Sequence, residues 1–558
     1  MLESGLNRKK LARGITRLSW VWLLGRAFIR LVRNRKRNRR RVVLSALALV
    51  VVPLGASMAM AATDPAIVDT DDGALRGAVA SDHRTFSGIP FAAPPVDNLR
   101  WQAPQPAVPW PGIRDATRPG SMCAQAGWVD GKAAQIGSED CLYLDVTTPS
   151  RGTGLPVMVW IPGGGFVQGA GDQYDPARLA ATGNVVVVTI NYRLDALGFL
   201  DDPDFGDDPD AGNYGLADQQ AALRWVRHNI ASFGGDPGNV TVFGQSAGAF
   251  SICAHLVAPA SRALFDKAII QSGPCGNSFV TADVARKRGK EVAARLGCAT
   301  GDVATCLRAK PVNELVGIDG DHVFTSTDRL RDMPWTPVVG TPVLPEQPLQ
   351  ALRDGHAARV PLIQGATRDE MRPFVALDYD VKGTPVTEAE YPNIIRQVFG
   401  AKARLVLEKY PPSNYPSPGI ALATVLTDAG RKVGACTTLP ADTAAAARMP
   451  VYAYEFAQDD GLTIGDFPMG AAHSAELPYL FDGSFGSAPL PPTPDRQLLS
   501  QRLISYWAQF AKTGDPNNSE APPWPAYHPG QPLLSIKAGS DGIGLVDLAR
   551  EHQCPLWS

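Results

Sequence analysis

The stretch "NVTVFGQSAGAFS", Asn239 to Ser251, joins two kinds of sequence. Val240-Thr241-Val242-Phe243 is β-branched and aromatic and reads as a strand. The residues after it are small and suit a helix start. Ser246 sits at the join, with glycines two residues away on each side. A strand that turns directly into a helix must bend sharply. Side chains at −2 and +2 would collide in such a bend, and the serine hydroxyl is left standing at the strand's C-terminal end above free helix amides. With 54 glycines in 558 residues, about 0.3 accidental G-x-S-x-G matches are expected, so the pattern must be supported from elsewhere in the chain.

Working outward, several short apolar runs read as strands buried on both faces: 155–161, 185–190, 240–243, 267–271, 360–365 and 451–456. Between two of them, residues 217–233 carry apolar side chains at helical spacing. Strands alternating with helices predict an α/β fold with a large, mostly parallel sheet, whose site lies beyond the C-terminal strand ends. After 155–161 comes "PGGGF", Pro162 to Phe166, where backbone amides can approach a ligand with no Cβ in the way. After 360–365 comes "ATRDEMRPF", which offers two acids, Asp369 and Glu370. After 451–456, across a loop, comes "GAAHSAELPYLF" with His473. The order serine, acid, histidine is that of α/β-hydrolases.

Charge and cysteine usage narrow the setting. Residues 1–41 hold 14 of the 53 Lys/Arg and one of the 55 acids, which leaves 39 bases against 54 acids in the remainder, a net charge of −15. That balance argues against a nucleic-acid binder. The basic block runs into an uncharged stretch, Val42 to Ala61, ending Ala59-Met60-Ala61. This pattern reads as an export signal cleaved after Ala61. A signal anchor is the other reading, since 20 residues could span a bilayer. Pro53, Gly55 and the small residues favour cleavage. Residues 1–61 are thus expected to be leader and signal, and 62–558 a single catalytic domain of an exported protein, with any membrane association confined to 42–61. All eight cysteines follow the cleavage point, an even number that suggests disulfides. There is no C-x-x-C or H-E-x-x-H, and neither Gly131-Lys132 nor Gly289-Lys290 has the context of a phosphate loop. No metal and no cofactor is expected. The sequence carries no signal of oligomeric state.

Taken together, these motifs resemble the type B carboxylesterases, which include cholinesterases and bacterial para-nitrobenzyl esterases. The resemblance covers roughly residues 65 to 555. It rests on "GIPFAAPPVDNLRW" (88–101), "SEDCLYLDV" (138–146), "IPGGGF" (161–166), "NYRLDALGFL" (191–200), the run 212–249 around Ser246, and the segment around His473. It implies one catalytic domain acting on a small ester through Ser246, Glu370 and His473, and so favours Glu370 over Asp369. Gly164, Gly165 and Ala247 would supply oxyanion amides. A lipase or peptidase on the same triad, and an inactive adhesion protein of the same fold, are the alternatives. The second is disfavoured because all three triad positions are filled.

The same resemblance implies disulfides Cys123–Cys141, Cys298–Cys306 and Cys436–Cys554, and an Arg100–Glu139 ion pair. Cys253 and Cys275 are left over, as free buried thiols or as a fourth bond. Two departures stand out. Pro162 replaces a histidine common before the triple glycine, and Gln245 stands where cholinesterases carry glutamate. The loop between Cys123 and Cys141 has 17 residues and one aromatic, Trp128, placed unlike the choline-binding tryptophan. The expected substrate is a neutral or weakly anionic ester, with no advantage for choline esters.

Overall fold

The structure is a computed structural model and describes residues 64–129, 132–206, 208–320, 324–483 and 491–557. The expected leader and apolar run, 1–61, lie outside these residues. From residue 64 onward the described chain belongs to one compact unit. Its frame is an eleven-stranded sheet. In chain order the strands are β1 (Ala78–Val79), β2 (His83–Pro90), β3 (Tyr143–Pro149), β4 (Leu155–Ile161), β5 (Val186–Ile190), β6 (Gly235–Gln245), β7 (Lys267–Gln271), β8 (Leu362–Thr367), β9 (Val451–Phe456), β10 (Leu533–Ile536) and β11 (Ile543–Val546). Their spatial order is β11-β10-β9-β8-β7-β6-β4-β5-β3-β2-β1. The seven strands from β5 across to β10 pair in parallel. Antiparallel strands complete both edges.

Strand β4 shows why the central runs are unbroken by polar residues. Its seven side chains are all buried, but they alternate between two cores. Val157, Val159 and Ile161 join one core with helices α1 (Tyr214–Asn229) and α2 (Ala247–Val257). Met158 and Trp160 join the other, under helix α4 (Pro494–Thr513). A third long helix, α3 (Pro418–Ala429), packs in the first core. Each such aliphatic burial stabilises the fold by about 1.5–3 kcal/mol, and the period of two directs successive residues to opposite faces.

The position of the site follows from strand order. β4 lies between β5 and β6, so the chain leaves β4 to one side and later returns on the other. A crevice opens at such a switch point, beyond the carboxyl ends of the strands. The loop after β4 begins at Pro162, and the turn after β6 is Ser246.

All eight cysteines are paired: Cys123–Cys141, Cys298–Cys306, Cys436–Cys554, and Cys253–Cys275. The last joins α2 to the segment after β7, so the two cysteines left open by the sequence are a fourth bond. Arg100 and Glu139 form a bidentate pair at 2.7 and 2.6 Å, and the same guanidinium donates to the carbonyls of Arg308 and Lys310. It thereby fastens three separate segments of the chain to one another. No helix among the described residues is long and apolar enough to cross a membrane.

Candidate active site

Ser246 occupies the sharp turn between β6 and α2 with φ 56° and ψ −122°, a conformation that L-residues seldom adopt. Its amide donates to Gln271 O on β7 at 2.9 Å, and its carbonyl accepts from Phe250 N at 2.9 Å. These two bonds hold the bend. The flanking glycines are required by close approach to β4. A Cβ on Gly248 would lie 1.9 Å from Ile161 O, and one on Gly244 2.8 Å from the same oxygen. The small residues of the opening motif are therefore the space into which the end of β4 fits.

That strand end continues into the triple-glycine loop. Gly164 has φ +112°, and a Cβ there would meet Gln168 O at 2.1 Å. Gly164, Gly165 and Ala247 line one cavity with Ser246 and His473, with a volume of about 100 Å³. Ala247 is the first residue of α2, where backbone amides have no intrahelical acceptor.

The two acids after β8 take different partners. Glu370 is fully buried, accepts from Thr367 N at 2.8 Å, and places Oε2 2.5 Å from His473 Nδ1. Asp369 instead pairs with Arg372 at 2.8 Å and accepts from Ala471 N at 2.9 Å. It braces the loop that carries His473 and does not face the imidazole. A carboxylate on Nδ1 keeps the proton there and leaves Nε2 with a lone pair. In this structure that lone pair faces the Gln245 side-chain amide at 3.0 Å, and Ser246 Oγ has no hydrogen bond among the described residues. Serine and histidine thus share the cavity while Gln245 occupies the place a serine–histidine hydrogen bond would take. The ring of Phe374 packs 5.3 Å from the imidazole.

Two buried ionisable groups in the site received no role from the sequence. Glu476, three residues after His473, accepts from Gln271 Nε2 at 3.0 Å, and Gln271 in turn accepts from Trp507 Nε1 at 3.1 Å. Burial, and after it the charge of Glu370, pushes the Glu476 carboxyl up to about 7. Its place in "HSAEL" on the His473 loop was the available signal. Lys432 lines the cavity, donates to Thr325 O at 2.8 Å and stands 5.9 Å from the Phe374 ring centroid. Burial pulls its ammonium down to about 8, against the pull of Asp328, Asp378 and Asp332. Nothing in the sequence around it marks it. Trp128 lies elsewhere. It is 75% exposed on the hairpin Gln125–Val129/Lys132–Ile136 and does not line the cavity.

A largely parallel sheet with a strand–serine–helix turn and a glycine loop at its switch point is the α/β-hydrolase architecture. The carboxylesterase family model matches residues 64–557. The para-nitrobenzyl esterase of Bacillus subtilis (strain 168) is 37% identical over 484 residues, covering 83% of this chain and 92% of that one. Carboxylesterase 4A of Bos taurus is 33% identical over 555 residues, covering 92% and 98%. A solved PNB esterase structure superposes with a TM-score of 0.73 at 32% identity, over 88% of this chain and 100% of that one. The chain belongs to the type B carboxylesterase family and is a carboxylic ester hydrolase.

Proposed function

We propose that the protein hydrolyses neutral or weakly anionic esters through an acyl-enzyme on Ser246, with His473 as base and Glu370 as its orienting acid. The observation that carries this reading is the 2.5 Å contact between His473 Nδ1 and a fully buried Glu370, in the cavity that holds Ser246. Substrate entry displaces the Gln245 amide from Nε2, and the Ser246 hydroxyl takes its place. Nε2 then accepts the serine proton as Oγ attacks the ester carbonyl. Glu370 stabilises the imidazolium. The amides of Gly164, Gly165 and Ala247 receive the oxyanion, each donor lowering the barrier by about 3–4 kcal/mol. The imidazolium returns its proton to the leaving alcohol. Water repeats both steps on the acyl-serine and releases the acid.

Charge in the cavity supports the substrate class. Lys432 puts a cation in the wall, and Gln245 is neutral where a carboxylate would attract a cation. The exposed Trp128 offers no ring face to a bound ammonium. The test compares kcat/KM for butyrylcholine and its uncharged isostere 3,3-dimethylbutyl butyrate, beside p-nitrophenyl esters from acetate to palmitate. The proposal expects no preference for the cation. A tenfold preference, about 1.4 kcal/mol, contradicts it.

We also infer that residues 1–61 are a leader with an export signal and that 62–558 is the single catalytic domain. Four disulfides among the described residues are compatible with export. Sequencing the N-terminus of the secreted protein tests this. A start near Ala62 supports it, and a retained Val42–Ala61 segment supports the anchor.

A further inference from the structure

A second cavity, about 350 Å³, lies beside the ester site. Two segments line both. Leu330 and Arg331 line the second cavity, and Met333 lines the first. Arg431 lines the second, and the next residues, Lys432 and Val433, line the first. The second cavity has a different chemistry. Arg329, Arg331, Lys402 and Arg431 all contribute to its walls, and among the described residues no Asp or Glu does. Asp332 is near, accepting from Arg329 N at 3.2 Å and lying 4.0 Å from Arg331 Nε. With Asp328 it balances only part of the four positive charges.

Two of the cations are held in place. Arg431 donates from Nε to Thr327 O at 3.0 Å and from Nη1 to Val398 O at 3.1 Å, with its guanidinium 5.8 Å over the Phe399 ring. Lys402 donates to Leu556 O at 3.1 Å. Carbonyl acceptors fix these groups without neutralising them, and Asp332 and Asp328 offset Arg431 only in part, so net positive charge is left for a ligand. Phe399 and Trp557, 5.3 Å apart, provide an aromatic wall. Burial, and after it the Arg329 guanidinium, weakens the hold of Arg431 on its proton, as cations crowded together do.

We propose that this cavity binds an organic anion, a carboxylate or phosphate monoester head among Arg329, Arg331, Lys402 and Arg431, with an aromatic or short apolar body against Phe399 and Trp557. Its volume falls in the range of small-molecule sites. Guanidinium groups match the geometry of both heads, and the rings select against a bare inorganic ion. The carboxylic acid released by ester hydrolysis is one member of this class. The segments shared with the ester site give the ligand a route to influence it.

Isothermal titration of the whole protein with benzoate and with phenyl phosphate tests the proposal, with benzamide and inorganic phosphate as controls. Saturable 1:1 binding of at least one organic anion is expected, weakened by added salt. Benzamide should not bind, and inorganic phosphate should bind more weakly than phenyl phosphate. The double variant Arg331→Ala/Lys402→Ala should lose at least tenfold in affinity while kcat/KM for p-nitrophenyl butyrate stays unchanged. Tighter benzoate binding assigns the site to carboxylic acids, and tighter phenyl phosphate binding to phosphate monoesters. The proposal is overturned if neither organic anion binds saturably. It is equally overturned if the double variant binds as tightly as the parent, or if benzamide or inorganic phosphate matches the organic anions.

Discussion

Two histidines among the described residues sit against buried carboxylates, and they are built for opposite ends. His473 has Glu370 on Nδ1 and a neutral amide, Gln245, on Nε2, in a cavity shared with a serine. His552 has a carboxylate on each nitrogen, Asp428 on Nδ1 at 2.6 Å and Glu455 on Nε2 at 2.8 Å, and all three side chains are buried. Burial opposes its charge, and the hydrogen bonds to Asp428 and Glu455 outweigh it, so its pKa is pushed up to about 10. Burial also raises Asp428 against the hydrogen bond from His552. The ion pair is the governing state, because two acids face one base and Tyr410 OH donates to Asp428 at 2.8 Å. A histidine held charged from both sides cannot accept a proton. One held from a single side, with an exchangeable neutral partner on the other, can. His552 joins α3, β9 and the chain segment that carries Cys554, and is a clip. A third histidine, His255, marks the remaining case. It is buried between Ser261 and Gln219, and burial lowers its pKa to about 3, so it stays neutral.

Substitution separates the two sites. Ser246→Ala and His473→Ala should each lower kcat by about 10⁴-fold or more in a protein that unfolds like the parent. His552→Gln should leave kcat at 25 °C unchanged. If the two histidine variants lose activity equally while folded, the comparison fails. Glu370→Gln should cost about 10⁴-fold in kcat by leaving the imidazole without its orienting acid. Asp369→Asn should cost far less, since Asp369 only braces the loop.

Stability should show the reverse ranking. Removing the base from a buried pair leaves uncompensated acids, so His552→Ala should lose about 3–5 kcal/mol in denaturant unfolding. A loss within error of zero would mean that the clip carries no stability. The pH dependence has a definite sign. A folded pKa raised above the unfolded value near 6.5 gives stabilisation that is full below pH 6.5 and lost as pH rises through about 10. Unfolding midpoints of the parent should fall between pH 7 and 10 by more than those of His552→Gln. Parallel curves would show that His552 is not charged in the fold. The smallest effect is expected at Gln245→Glu. A carboxylate facing Nε2 favours the imidazolium, so the acidic limb of the kcat/KM profile should move to higher pH. An unmoved limb would mean that residue 245 does not face the imidazole in the working enzyme.

Much of this arrangement was legible in the sequence because it is local. The spans 155–161, 267–271 and 451–456 are strands with those bounds, since continuous apolar runs leave little freedom. The expected strand 240–243 proves to be part of β6, which begins at Gly235. "GDPGN" carries turn residues, yet it continues the pairing with β4 through an irregularity. β8 starts at Leu362 and not 360, because Pro361 has no amide to give. What the sequence could not show depends on side chains meeting across distant elements. Cys253 finds Cys275 only because α2 packs beside the segment that follows β7. Gln245 reaches His473 across 228 residues of chain. His552 meets Asp428 and Glu455 across 124 and 97, so nothing near it in sequence marks the clip. The four cations of the second cavity come from three separate segments.

The central claim is that Ser246 is the nucleophile of a site organised by His473 and Glu370. Titration with a diethyl p-nitrophenyl phosphate, followed by peptide mapping of the inactivated protein, tests it most directly. The account predicts one phosphoryl group per chain, on Ser246, with activity falling in proportion to labelling. Activity that survives full modification of Ser246, or inactivation with the adduct on another residue, would contradict it.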